Sequence, residues 1–157
     1  MKIYLVDYIG MHCGMHYYND AFCRVLSAIP GLDISVLSNY ADKNTNKPFF
    51  LHQYKGCKLR KICCLLWNYL MLLGFVLRNR KSCFIYLTYG NSIDLPFMYI
   101  VSLAGKSIID IHEAIAQNVD DNADLKRRFK KIYSERIKSV IVHSQRTNDL
   151  LDEYGYG

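Results

Sequence analysis

Five short apolar runs, each followed by a stretch of helical pattern, constrain this chain more than any other feature. The runs are Lys2 to Asp7, Asp33 to Ser38, Cys83 to Thr88, Ser107 to Ile111 and Ser139 to His143. They are apolar throughout and do not alternate, as strands covered on both faces do. Helical stretches fall at Tyr17 to Ile29, Lys58 to Asn79, Ile93 to Leu103, Asp121 to Ile137 and Ser144 to Tyr154. Strands alternating with helices make βαβ units, and βαβ units make a parallel sheet. The expected fold class is therefore α/β: a Rossmann-like, mainly parallel sheet flanked by helices on both faces, with 1–157 as one domain.

The stop signals agree with this order. Pro30-Gly31 ends the first helix, Gly105 ends the third, and Ser144 is a good N-cap for the last. Asp42 to Pro48 reads as a polar surface loop, and a weak strand is expected at Phe49 to Tyr54.

In an open parallel sheet, ligands bind outside the carboxyl ends of the strands. Two of the runs break there into proton-transferring side chains, one as Asp110-Ile111-His112-Glu113 and the other as Val142-His143-Ser144. His112 and Glu113 are candidates for a general base or a hydroxyl-binding pair, with a structural histidine as the plainer alternative. His143 reads as inward or structural, and Ser144 as above all a helix cap. The first βα turn, Asp7 to Tyr17, holds Gly10 and Gly14 between a strand and a helix N-terminus, where free N–H groups favour an anion. A plain turn would look the same, because the loop is neither Gly-x-Gly-x-x-Gly nor a Walker loop.

Net charge is +6 and the pI about 9.0, which suits an anionic partner. The excess sits in two blocks, Lys55 to Lys61 with Arg78, Arg80 and Lys81, and Lys126 to Lys131. The second block is most simply a solvated helix face. Zinc-finger spacing, an RNP-like aromatic motif and a helix-turn-helix are all missing, so nucleic acid is not an expected partner. His12, Cys13 and His16 lack the further ligands of a zinc site, there is no Cys-x-x-Cys, and there is no Gly-x-Ser-x-Gly elbow. Six cysteines in mostly apolar stretches, with no leader ahead of the first strand, are expected as reduced, cytosolic thiols.

Between its basic ends the second helix is apolar from Ile62 to Leu77, interrupted only by Asn68 and Gly74. This is short for a membrane span, which takes about 20 residues. The first reading is a helix buried on most sides. The alternative is a helix lying on an anionic membrane surface, with Lys58, Arg60, Lys61, Arg78, Arg80 and Lys81 on head groups.

Taken in order, the Lys-Ile-Tyr-Leu-Val strand, the glycine-bearing loop, Asp-Ile-His-Glu, and the closing run Ser139 to Gly155 resemble a known family. The whole chain resembles the N-terminal, acceptor-side domain of GT-B glycosyltransferases of the retaining family 4 type. The most specific part is the closing strand, Ser144, and a helix ending in Leu-x-x-x-Tyr-Gly. The resemblance implies sugar transfer from a nucleotide-sugar donor, UDP- or GDP-linked, to a cell-envelope glycan or lipid-linked acceptor. It makes His112 the acceptor-domain histidine near the reacting sugar, and Gly14 the loop glycine facing the donor phosphates. His16, Glu113 and Ser144 become further acceptor or phosphate contacts. It places the enzyme in the cytoplasm, peripheral on the inner face of the membrane. It also implies a second domain carrying the donor site, which nothing in these 157 residues replaces, so that the chain alone turns over nothing. The alternative from another class is a non-catalytic Rossmann-like domain that docks on a membrane or a protein through its basic faces.

Overall fold

A computed structural model describes residues 1–41, 47–53, 55–111 and 123–153, except the side chains of residues 12, 13 and 150. The strands are β1 (Lys2–Asp7), β2 (Asp33–Ser38), β3 (Cys83–Thr88), β4 (Lys106–Ile111) and β5 (Val140–Val142). The helices are α1 (Met15–Ser27), α2 (Lys58–Arg78), α3 (Asp94–Ser102), α4 (Ala123–Arg136) and α5 (Gln145–Glu153). All four strand pairings are parallel, in the order β2-β1-β3-β4-β5. The Rossmann-like α/β expectation is met.

Crossover direction divides the helices between the two faces. Tyr18, Phe22, Cys23 and Leu26 of α1 pack on Leu5, Val36 and Ile85 on one side. Leu72 and Val76 of α2, Phe97 and Val101 of α3, and Phe129 and Tyr133 of α4 pack on Tyr4, Val6, Phe84 and Tyr86 on the other. The middle helix of that layer, α3, touches both α2 and α4, and its apolar residues face sheet and neighbours alike. A helix that is hydrophobic all round needs such a place. In α4 the buried residues Phe129, Ile132 and Tyr133 form one stripe and the basic residues face water.

Local geometry refines several boundaries. Gly14, at φ +71°, ends a 3-10 turn (Gly10–Cys13) and opens α1 two residues earlier than the apolar pattern suggests. No ladder forms over 49–53, where a weak strand was expected. The N–H groups of Phe49 and Phe50 both donate to the Ser38 carbonyl, and Leu51 exchanges two hydrogen bonds with the Asn68 amide at 2.8 and 3.0 Å. With those groups committed, the segment is a strap between the end of β2 and α2.

The first reading of α2, a helix buried on most sides, is overturned. Only 17% of its apolar window is buried, and Leu59, Leu66, Trp67 and Leu70 are each more than half exposed. By length and composition it is the one helix among the described residues able to cross a membrane. Its inner face is nevertheless held by the fold, through Asn68, Leu72, Val76 and the Tyr69 hydroxyl on the Ile93 carbonyl.

Candidate functional site

The chain leaves β1 toward β2 and leaves β3 toward β4, so connections diverge between two neighbouring strands, β1 and β3. A crevice at the carboxyl ends of such a pair is where open α/β sheets bind ligands. One hydrogen bond spans it, from the Tyr89 hydroxyl just past β3 to Asp7, the last residue of β1, at 2.8 Å.

Asp7 is fully buried and is the hub of this edge. Its Oδ1 also accepts the N–H groups of Ile9 and Gly10, both at 3.0 Å, and its Oδ2 accepts Asn19 Nδ2 of α1 at 2.6 Å. Asn19 donates onward to the Tyr40 hydroxyl at 3.1 Å, which ties in the segment after β2. Four donors on one buried carboxylate supply what water would otherwise give it. Asn39 clamps the same loop, accepting the Met11 N–H at 3.1 Å and donating to the Ile9 carbonyl at 2.7 Å. A Cβ on Gly10 would lie 2.3 Å from Ser38 Oγ and 2.5 Å from Asn39 Oδ1. With φ at +48° as well, only glycine fits there.

The second group lies toward β5. Asp110, fully buried near the end of β4, accepts the Tyr18 hydroxyl at 2.7 Å on one oxygen. Its other oxygen lies 2.6 Å from His143 Nε2. His143 follows β5 with 40% of its side chain exposed, its ring edge-on to Tyr18 at 6.1 Å. Asp110 thus anchors an imidazole at the mouth of the edge, which is the arrangement that orients a histidine for proton transfer. His143 was read as inward or structural; its side chain is 40% exposed and bonded to the buried Asp110.

Burial, followed by the adjacent carboxylates, pushes the Tyr89 and Tyr18 phenols well above the usual tyrosine range. Burial does the same to Tyr40. All three therefore stay neutral near pH 7 and remain hydrogen-bond donors. Behind them Asp94 opens α3 and accepts the Tyr86 hydroxyl at 2.7 Å and the N–H groups of Tyr89 and Asn91 at 3.0 and 2.9 Å. Burial outweighs those bonds and raises its carboxyl to about 6.

Of the residues singled out in the sequence, Gly14, His16, His143 and Ser144 all lie at this carboxyl edge. Gly14 opens α1, with no atom of the described residues within 4 Å of where its Cβ would lie and no side-chain cap there. His16 is half-buried, its ring 6.2 Å from that of Tyr40, with no partner for Nδ1 among the described residues. Ser144 is the expected cap, its Oγ accepting the Thr147 N–H at 3.1 Å. His112 and Glu113 lie outside the described residues. Lys58, Arg60, Lys61, Arg78, Arg80 and Lys81 are all exposed around the two ends of α2.

Sequence reasoning missed Asp7, Asn19, Tyr40 and Tyr89. Asp7 was open to the same strand-end rule that selected Asp110 to Glu113. The tyrosines carried no signal in one dimension. Among the described residues, no three His, Cys, Asp or Glu side chains gather as metal ligands. Two surface hollows of about 500 Å³ lie elsewhere, one by the amino ends of β3 and β4 and one between α3 and α4. The strand-end chemistry, not concavity, locates the candidate site, because an open sheet edge encloses little volume by itself. No protein-family model and no curated protein matches this sequence.

Proposed function

We propose that this chain is the acceptor-side half of a retaining GT-B-type glycosyltransferase. In this reading it binds a glycan or lipid-linked acceptor at the carboxyl edge of the sheet, while the nucleotide-sugar donor is held by a second domain. The carrying observation is the edge itself: the Asp7–Tyr89 bridge across the β1–β3 crevice, the glycine loop ahead of α1, and the Asp110–His143 pair, all on one rim. Hydroxyl-rich ligands are recognised by such neutral phenols and amides, which both donate and accept, together with carboxylates, which accept. His143, oriented by Asp110, is placed to take or share an acceptor hydroxyl proton. Transfer breaks the bond from the sugar's anomeric carbon to the diphosphate and makes one to the acceptor oxygen. Rate in such a reaction comes mainly from positioning and from stabilising the departing charge. Half of the cleft therefore binds and does not turn over.

The test is titration of the ¹⁵N-labelled chain with a glycosyl-diphosphate carrying a short farnesyl-type lipid, and separately with UDP-glucose and GDP-mannose. The expected result is millimolar acceptor binding that shifts the amide signals of Gly10, Gly14, His143 and Ser144, weakened by Asp110→Asn, and no sugar transfer. Shifts confined to the amino edge around Lys106 and Lys138 would overturn the site. Sugar transfer by this chain alone would overturn the half-cleft reading.

A further inference from the structure

The outer surface of the α2–α3–α4 layer combines features that no soluble monomer needs. At about 100° per residue, Leu59, Leu66, Leu70 and Leu77 fall within about 40° of one another on α2. That row lies on the side opposite the buried Asn68 and Leu72. Trp67 widens it and is 53% exposed. The result is an apolar ridge about 30 Å long, at about 1.5 Å of rise per residue. An exposed, contiguous apolar strip of that size marks an interaction surface.

The charge around the ridge has one sign. No Asp or Glu occurs between Asp42 and Asp94, whereas Lys58, Arg60 and Lys61 stand at one end of α2 and Arg78, Arg80 and Lys81 at the other. Across α3 the cations continue. A groove of about 510 Å³ between α3 and α4 is lined by Arg128, Lys131 and Arg136 with Leu95 and Tyr99, and by a single acid, Glu135. There the Arg136 guanidinium sits 4.8 Å over the exposed Tyr99 ring, an aromatic-and-cation pair suited to an interfacial phosphate. Arg128 is shared with Asp124 at 2.8 Å.

We propose that this three-helix face docks on an anionic phospholipid bilayer, with the α2 ridge inserted among acyl chains and the α3–α4 groove over head-group phosphate. A second copy of the chain is disfavoured by the same charges. Because both ends of α2 are basic, pairing two ridges sets cations against cations in either orientation. Crossover geometry also places the Lys58 end of α2 on the carboxyl-edge side of the sheet, so a docked helix holds that edge beside the membrane plane. The docking stands on these surface features alone and survives if the sugar-transfer reading fails.

Trp67 is the chain's single tryptophan and lies on the ridge, so it reports insertion directly. The experiment follows its emission, with co-sedimentation, against vesicles of phosphatidylcholine alone and of phosphatidylcholine with phosphatidylglycerol in equal parts, in dilute and in concentrated salt. The expected result is a blue shift and binding with the anionic vesicles in dilute salt, lost in concentrated salt. Leu66→Glu with Leu70→Glu should weaken binding at least 10-fold at unchanged far-UV circular dichroism. Lys131→Gln should weaken it about 5-fold, the value of one interfacial cation. Lack of binding to anionic vesicles in dilute salt overturns the proposal. So does equal binding to phosphatidylcholine alone, or indifference to the two ridge variants. A dimer in sedimentation that the ridge variants dissociate would instead assign the face to a second copy.

Discussion

Replacing Asp94 by asparagine isolates one buried charge while keeping the shape of its side chain. The carboxyl is fully buried, and its folded-state value of about 6 stands roughly two units above the usual 3.8. Each unit corresponds to about 1.4 kcal/mol between the two protonation states, so the ionised fold is about 3 kcal/mol worse off than the protonated one. The direction follows from proton linkage. Between about pH 4 and pH 6 the folded state holds a proton that the unfolded state has released, so this group's contribution to stability is lost as pH rises through that window. Asparagine presents an oxygen to the Tyr89 and Asn91 N–H groups and an amide to the Tyr86 oxygen, as the protonated acid does, and it does not titrate. The expected outcome is near-equal stability of the two proteins at pH 4 and an advantage to Asp94→Asn of about 3 kcal/mol at pH 7. Asp94→Ala, by contrast, strands the buried Tyr86 hydroxyl and two backbone donors and should lie about 3 kcal/mol below Asp94→Asn throughout. Guanidinium unfolding followed by far-UV circular dichroism at pH 4, 5, 6 and 7 measures all three. A difference between wild type and Asp94→Asn that stays constant with pH, or grows toward pH 4, refutes the reasoning.

Gly10→Ala should cost about 3 kcal/mol, because its Cβ meets Ser38 and Asn39 in a left-handed backbone. Gly14→Ala, equally left-handed but meeting no atom of the described residues, should cost only about 1–2 kcal/mol, and comparison of the two denaturation midpoints checks the contrast. Asn68→Leu removes both hydrogen bonds to Leu51 and should destabilise by about 2–4 kcal/mol despite the better hydropathy, with faster hydrogen exchange at the Leu51 amide as the local signature. In an alkaline titration read at 295 nm, Tyr18, Tyr40, Tyr86 and Tyr89 should hold their protons after the exposed tyrosines ionise. The stability they confer holds below pH 10 and is lost above it, as the unfolded chain ionises, so their absorbance should rise only with loss of the circular dichroism signal. A single wave that includes all thirteen tyrosines while the fold persists contradicts this.

The strands were legible because a run such as Cys83 to Thr88, apolar at every position, suits only a strand covered on both faces, and β3 is buried throughout. The cap at Ser144 was legible because it acts within a turn of its own position. The candidate edge was half legible. Strand ends told where polar groups would gather, yet the partners of Asp7 and Asp110 lie 82 and 33 residues away, at Tyr89 and His143. Those distances close only through the register of β1 on β3 and of β4 on β5, which no local pattern encodes.

The helix α2 marks the division most sharply. Its amino acids determined that it would be a helix, apolar, with basic ends. They did not determine that one side would stay uncovered. Composition records how much apolar surface an element carries, whereas burial depends on what neighbours it. Of the three helices on that face, α3 stands between two others, while α2 packs on α3 and on the strap at Phe49 to Leu51. Its ridge points away from the sheet, opposite the buried Asn68 and Leu72, and no described element lies over it, which is decided by tertiary packing alone.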